Sequence, residues 1–546
     1  MSPFAASLHA FRGVFANRQV RKLQIADVGA TLGGWAYAVA LPVYAYHAGG
    51  ARAVGLLFFA RFVFAALAAP WLGVAADRWS RRQLMLITDI FRAALCGGMT
   101  AVAVTSGNAY AVYVLAVLSS VASVAYSPAQ GALLPLLVET PEELTAANVV
   151  SNTISSVGMF AGPALGGILL ALSGPAAVFA FNGAVLVWSA AFVVQVPRDK
   201  PPERTERPRL WPELTAGFSA VLRRPALRVI VGLTGAQTLT SGLLEVLLVV
   251  LAINLLHAGN AGVGWLNAAI GIGSIVGAFV VAVVAARRRL ATGFALGIVV
   301  SVVPIALAAG VSTLAPALVL FGIIGAGSVL VEVGGITLLQ RSTENEVLGR
   351  VFAVMETTIL GALAIGSLVA PALVSWLGSK GALIATGVFL PPLLLPLWPS
   401  LRRIDAEAVI AEEPLELLRR IEIFAELPEP VLERLAGGAT GVSTAAGQVV
   451  IALGEVGNHY YVIAAGRAVV EPEEGAKREL GPGEGFGEIA LLRDVPRTAT
   501  VRAVEPLQLY AIKRDDFLAA VTGHAPTLAA AENFVLSRLP AGALLG

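Results

Sequence analysis

The first four hundred positions of this chain are filled by apolar runs of about twenty residues, long enough to span a lipid bilayer. Twelve such runs can be drawn, over residues 23–46, 53–76, 83–104, 109–137, 147–172, 176–196, 227–256, 262–285, 291–310, 313–340, 350–377 and 381–399. Only 14% of residues are charged and 57% are hydrophobic, against about a quarter charged in a soluble domain, so lipid is the expected solvent for most of the chain. Backbone polar groups in lipid must be paired within the segment, which makes the runs helices. The formal net charge of +2 speaks against a general attraction to nucleic acid. The single cysteine, Cys96, lies inside an apolar run, which excludes a disulfide framework or cysteine metal site and leaves it as a small buried filler. The first run follows Arg12, Arg18, Arg21 and Lys22; it is too long for a signal-peptide core and lacks a convincing cleavage site, so it reads as a first span.

The charges between the runs are segregated. The gaps HAGGAR, TSGNA, SGPAA, HAGNAG, GVST and LGSKG contain only Arg52 and Lys380 as basic residues. The alternate gaps hold Arg78, Arg81 and Arg82, then a central loop running from Arg198 to Arg228, then Arg287, Arg288 and Arg289, then Arg341 and Arg350. The gap after the fourth run carries Glu139, Glu142 and Glu143, but acidic residues count little in the rule by which lysine and arginine mark the cytoplasmic side. The expected localisation is therefore multi-pass in the cell membrane, with both termini cytoplasmic. Six runs, a long basic loop and six more runs is the layout of a two-bundle transporter with its site near the midplane. The fold class expected is an all-α membrane bundle of twelve transmembrane helices in two six-helix halves, followed by a smaller α+β domain. The domains read as 1–400 (halves 1–197 and 225–400, loop 198–224), a connector 401–414 and a soluble module 415–546.

The module begins where composition changes. After Trp398, Pro399, Arg402 and Arg403 the chain becomes charged and turn-rich. A helical pattern at Leu415, Leu418 and Ile421 leads into Ile423 and Phe424. Short apolar alternations follow, broken by glycines at 447, 454, 457, 466, 475, 481, 483, 485 and 487, a spacing that predicts a small antiparallel β-barrel or roll. A last helix is expected from Asp515 through Leu539.

Two motifs in the membrane part carry a resemblance. Gly73-x-x-x-Asp77-Arg78-x-x-Arg81-Arg82, between the second and third runs, resembles the loop signature of the major facilitator superfamily. Gly73 permits close helix approach, Asp77 suits the positive end of a neighbouring helix, and the arginines anchor the cytoplasmic face. In the fifth run, Gly158-x-x-x-Gly162-Pro163-x-x-Gly166-Gly167 looks like that superfamily's antiporter signature. The resemblance implies a proton-coupled exporter; the glycines equally serve ordinary backbone-to-backbone packing, and Pro163 invites a bend. The segment with Pro128, Pro135 and Asn148 is similar to the drug and siderophore exporter branch. That branch's usual arginine in the fourth span is absent, the stretch reading Leu118-Ser119-Ser120-Val121, so any proton coupling must use another arrangement.

Ionisable residues inside spans are expensive, roughly 2.5–3.5 kcal/mol each on insertion scales, and are functional candidates by default. Glu245 and Glu332 are the expected proton or cation sites, with Arg61 and Asp27 as further coupling candidates. A structural ion pair is the alternative for each. Glu356 lies close to a cytoplasmic end, and Asp89 and Arg92, three apart, are placed to neutralise each other. Trp35, Tyr37 and Trp265 would suit an apolar substrate as cavity-lining rings, although packing explains them equally.

In the tail, Gly485-Phe486-Gly487-Glu488-Ile489-Ala490-Leu491-Leu492 followed by Pro496-Arg497-Thr498-Ala499 resembles the phosphate-binding cassette of cyclic-nucleotide-binding domains, with Phe424, Gly447, Gly454, Gly457, Tyr461 and Gly466 in matching places. A cyclic phosphate offers two exocyclic oxygens to the fork of Arg497. A helix starting near Glu488 aims the N–H groups of Ile489 and Ala490 at the same phosphate, Glu488 accepts from a ribose 2′-hydroxyl, and Thr498 adds a contact. Thr498 is compatible with both cAMP and cGMP, and the helix from Phe517 to Leu539 would lid the base. The expected ligand is a cyclic nucleotide, with no metal. The function expected is a secondary transporter exporting a small amphipathic molecule and regulated by cyclic nucleotide. The alternative is a membrane-bound nucleotide sensor that does not transport. An enzyme is not expected, because no GxxxxGK[ST] loop, HExxH or nucleophile elbow is present.

Overall fold

The computed structural model describes residues 17–76, 79–138, 140–199, 210–285, 290–343, 345–410, 412–425, 427–473, 476–522 and 527. Two compact units emerge, Met1–Leu401 and Arg402–Gly546.

The first unit is helical. Its elements are α1 (Arg18–Ala76), α2 (Arg81–Val104), α3 (Ala109–Ser123), α4 (Tyr126–Leu133), α5 (Pro141–Val193), α6 (Leu210–Arg223), α7 (Pro225–Val250), α8 (Gly259–Ala285), α9 (Leu290–Ala308), α10 (Leu314–Arg341), α11 (Asn345–Phe389) and α12 (Pro391–Ile410). Among the described residues nine helical segments are long and apolar enough to cross a membrane. Three helices are interrupted by non-helical glycines: α1 at Gly49 and Gly50, α5 at Gly174, α11 at Gly378. Gly50, Gly174 and Gly378 combine φ of 63°, 74° and 70° with an extended ψ, a conformation essentially restricted to glycine, and each lies in one of the arginine-poor gaps. Elsewhere glycine brings helices together: a Cβ on Gly273 of α8 would overlap the Gly322 carbonyl of α10, and one on Gly277 would lie 2.6 Å from the Ala326 carbonyl. The central loop is not purely loop. Its apolar positions make α6, where Val221 is buried and Gly217 lies against the Arg350 carbonyl of α11.

The second unit contains α13 (Glu412–Arg420), α14 (Glu429–Gly438), β1 (Thr440–Thr444), β2 (Val449–Ile451), β3 (His459–Ala465), β4 (Ala468–Pro472), β5 (Arg478–Leu480), β6 (Gly485–Phe486), α15 (Glu488–Leu492), β7 (Ala499–Ala503), β8 (Leu507–Lys513) and α16 (Arg514–Thr522). The strands form two four-stranded antiparallel sheets, ordered β1-β8-β3-β6 and β2-β7-β4-β5. Ile451, Ile463, Leu480, Phe486, Val501 and Leu509 fill the roll. A second core joins it to the helices through Phe424, Tyr460 and Phe517, with ring centroids 4.7–6.0 Å apart. The expected last helix begins at Arg514 and is described to Thr522; the rest of the anticipated lid, apart from Thr527, falls outside the described residues.

Candidate functional site

In the membrane unit the two halves meet at the arginine-poor end. Two hydrogen bonds between described residues join them, and both lie there: Asn254 Nδ2 donates to the Tyr46 hydroxyl at 2.7 Å, and His47 pairs with Asn260 at 2.7 Å. The glycines of the fifth run explain how closely the helices pack. Gly158, Gly162 and Gly166 lie against Thr31, Trp35 and Ala36 of α1, whereas Gly167 faces across the halves, a Cβ on Gly264 of α8 falling 2.8 Å from the Gly167 nitrogen. The Pro163 carbonyl lies against Gly264 as well. Trp35 is 38% exposed, as is Trp265, but Tyr37 is 5% exposed, with its hydroxyl on Met99 Sδ. Tyr37 is therefore packed inside the bundle and is not a cavity-lining ring.

The intramembrane charges fall into four groups. Glu245 is exposed, although Leu243, Leu244, Val246, Leu247, Leu248 and Val249 around it are all at most 8% exposed. Exposure of one position on a helix buried on its other sides means an opening inside the bundle rather than a lipid-facing stripe. Arg61 lies within electrostatic reach of Glu245. Its Nε donates to Ser120 Oγ at 2.7 Å, and its guanidinium lies over Phe58 (5.3 Å) and Tyr37 (5.9 Å). The fourth run thus lacks an arginine of its own, and the neighbouring span delivers one onto its Ser120. Glu332 is exposed on α10 and is not brought to this pair by any contact among the described residues. Asp27, 7% exposed, accepts from Thr31 and belongs with Gln130 in the arginine-rich half.

Asp89 feels the Arg92 charge but makes no direct ion pair or hydrogen bond with it among the described residues. It is completely buried and accepts from Ser189 Oγ at 2.7 Å; its other oxygen and Arg92 Nε have no hydrogen-bond partner among the described residues. The Ser189 hydroxyl also meets Tyr126 at 3.3 Å.

The loop motif has a partner that its own sequence does not reveal. Asp199, at the start of the central loop, accepts from Ser80 Oγ (2.8 Å), Arg81 N (2.7 Å) and Arg82 N (3.2 Å) at the first turn of α2. Burial alone would raise the Asp199 carboxyl, but these donors outweigh it and hold the group below its usual range. Arg82 is 8% exposed and donates to the Val193 and Val194 carbonyls, so it ties α2 to the end of α5 instead of anchoring a surface. Arg81 reaches Asp199 at 3.7 Å. Gly73 lies in the last turns of α1; Asp77 and Arg78 fall outside the described residues, as do Arg287, Arg288 and Arg289.

In the second unit the anticipated pocket residues converge. Gly487 adopts φ 98° and starts α15, placing Glu488 at 2% exposure and Ala490 at 2%. Arg497 is 6% exposed; its Nη1 donates to the Gly487 carbonyl at 2.9 Å and its Nη2 to the His459 carbonyl at 2.6 Å. Its backbone is fixed by exchange with the opposite loop, Arg497 N to the Glu455 carbonyl at 2.8 Å and Gly454 N to the Arg497 carbonyl at 2.9 Å. Glycine is required on both sides: a Cβ at Gly487 would lie 2.6 Å from Nη1, and one at Gly457 3.0 Å from Cζ. Burial pushes the guanidinium down from its usual value, opposed by Tyr461, Glu455 and Glu488. Thr498 is exposed and Ile489 and Ala499 are half-buried beside the pocket. A buried arginine that donates to two neutral carbonyls among the described residues is a site for an oxyanion, and a carboxylate such as the adjoining Glu488 can accept from hydroxyls, so the residues fit a cyclic ribonucleotide.

The profile of the Major Facilitator Superfamily matches residues 25–359, and that of the cyclic nucleotide-binding domain matches residues 442–524. The chain is 27% identical over 343 residues to an uncharacterized MFS-type transporter, YfiS, of Bacillus subtilis, covering 59% of this chain and 78% of that one. It is 35% identical over 102 residues to a cAMP-dependent protein kinase regulatory subunit of Yarrowia lipolytica, covering 18% of this chain and 27% of that one, so the match spans about a quarter of that relative. Among solved structures it is similar to the regulatory domain of Toxoplasma gondii PKA crystallised with cAMP, at 29% identity over 23% of this chain and 48% of that one, with a TM-score of 0.21.

Proposed function

We propose, from the premise that this chain belongs to the Major Facilitator Superfamily, that it is a proton-coupled exporter of a small amphipathic molecule regulated by cyclic nucleotide. The observation that carries the transport reading is Glu245, an exposed carboxylate about ten residues from the arginine-poor end of its span and flanked on both sides by buried residues. A carboxylate there can be loaded and unloaded with a proton as access alternates. The antiporter part of this reading draws on Gly158, Gly162, Gly166 and Gly167, which seat the fifth span against α1 and α8. The three glycine breaks divide nine continuous segments into twelve crossings, which supports two halves of six with both termini on the arginine-rich, cytoplasmic side. The proposed domain limits are 1–400 for the transporter, 401–414 for the connector and 415–546 for the nucleotide domain, supported by the division of the chain between Leu401 and Arg402.

The regulatory reading rests on the Arg497 cradle. Arg497 and the N–H groups at the start of α15 would hold the cyclic phosphate, with Glu488 on the ribose hydroxyl and Thr498 beside it. Binding tunes transport only if nucleotide affinity differs between two transporter states. The test is the full chain in proteoliposomes with an imposed proton gradient, following a panel of fluorescent amphipathic compounds with and without cAMP and cGMP. Gradient-driven movement that disappears in Glu245→Gln and loses its nucleotide response in Arg497→Ala is the expected result. Nucleotide binding with no movement of any compound would favour the non-transporting sensor.

A further inference from the structure

We propose that Arg61 and Glu245 form a charge-split site for a zwitterionic substrate, its oxyanion on Arg61 and its cationic group on Glu245; this deepens, and rests on, the exporter reading above. The two residues lie at one depth. Arg61 comes about ten residues after the Gly50 break of α1, and Glu245 about ten before the end of the span Pro225–Leu255, each roughly 15 Å of helix rise from the arginine-poor end and so near mid-bilayer. Ser120, which holds Arg61, lies eleven residues into α3 from the same end.

Arg61 is held from behind and left open in front. Ser120 takes its Nε, and Phe58 and Tyr37 support the guanidinium plane. Its two terminal nitrogens have no hydrogen-bond partner among the described residues, which leaves the fork suited to a carboxylate or phosphate available. The Glu245 carboxylate likewise has no hydrogen bond or ion pair among the described residues. The two groups feel each other's charge yet no ion pair joins them. A purely structural pair in a low-dielectric interior would close, because an unpaired charge there is costly. A lone anion satisfies Arg61 and leaves Glu245 without a counter-charge; a lone cation does the reverse. A proton on Glu245 would also neutralise that wall, but a molecule carrying both charges compensates both walls while the carboxylate stays ionised. The substrate's cation and a proton would then contend for a single carboxylate, the exclusion on which antiport depends.

The experiment uses the purified full chain in nanodiscs and three probes with the same apolar chain: octanoylcarnitine, octanoate and octyltrimethylammonium. Octanoylcarnitine should bind at least about tenfold more tightly than either singly charged probe, the expected worth of a second charge–charge contact. Glu245→Gln should reduce it to the level of octanoate, and Arg61→Gln to that of octyltrimethylammonium. The charge-conserving Glu245→Asp and Arg61→Lys should recover part of the preference, which separates a lost charge from a lost fold. Equal affinity for the three probes, binding of none, or a preference that survives both neutral variants overturns the proposal. If a singly charged probe binds best and is still driven by a proton gradient in proteoliposomes, the substrate class falls and the exporter reading stands. If octanoylcarnitine binds as expected but no gradient moves it, the site stands and the exporter reading falls.

Discussion

Arg61 and Arg497 are both held inside the protein with no ion pair among the described residues, and they are held in different ways. Arg497 is gripped by backbone: two carbonyls, two loop hydrogen bonds to its own main chain, and glycines on both flanks. Arg61 is gripped by side chains: one hydroxyl and two aromatic rings from three helical turns. A backbone cradle cannot move without moving strands, so it presents one geometry to one ligand shape. A side-chain mount on a helix tolerates rearrangement, which suits a site that must accept and release cargo as the helices around it shift. The difference teaches that the roll mounts its arginine on main chain, while the bundle mounts its arginine on side chains drawn from separate helices.

That contrast can be broken experimentally. The largest effect is expected for Arg497→Ala, which should weaken cAMP or cGMP binding by on the order of a hundredfold in calorimetry on the full chain. Arg497→Lys should lose nearly as much, because lysine lacks the planar fork. Gly487→Ala comes next. At φ 98°, and with Nη1 2.6 Å from the new Cβ, it should cost about 2 kcal/mol of roll stability and weaken nucleotide binding, read by thermal unfolding with and without ligand. Unchanged affinity in that variant would show that the cradle is not rigid.

Smaller effects are expected in the bundle. Ser120→Ala frees Arg61 from its only hydrogen bond among the described residues and should slow gradient-driven transport by about fivefold, near 1 kcal/mol. A loss as large as that of Arg497→Ala in the roll would erase the distinction between the two mounts. The smallest change belongs to Asp199→Asn, about 0.5 kcal/mol of stability through the first turn of α2. The folded carboxyl lies below its ordinary value of 3.8, so its stabilisation is present above that pH and is lost as pH falls through the lower folded value. Melting curves of the wild type should therefore show an acid-dependent loss below about pH 4 that the variant lacks.

The nucleotide pocket was legible because its parts are nearly consecutive. From Gly485 to Ala499 the turn, the short helix, the acid and the arginine lie within one stretch, and a glycine where φ must be positive leaves a mark in the residue types. What could not be read is that Arg497 rests on His459, 38 positions away, through a main-chain carbonyl common to every residue. In the membrane unit, the runs and the arginine-rich gaps were legible because hydrocarbon imposes length and charge rules on every span. The partners were not. Ser120 is 59 positions from Arg61, and Asp199 is 118 from the Arg81 nitrogen it accepts. One signal was present: Ser80 followed by Gln83 is the spacing of a helix start, and Ser80 does cap α2 there. The Asp89–Arg92 expectation held as a charge interaction without a direct contact, because i,i+3 placement on one helix says nothing about Ser189 on another, which donates to the carboxylate.

The sequence by itself determined the environments: which segments lie in lipid, where the chain leaves it, and which short stretch can hold a cyclised phosphate. These follow from local composition and from turn stereochemistry, which act over a few residues. Only the tertiary structure decided which charges stand alone. Whether Arg61 and Glu245 pair, face each other or point apart depends on how separate helices pack, and packing is settled by glycine contacts and buried volume spread over the whole bundle.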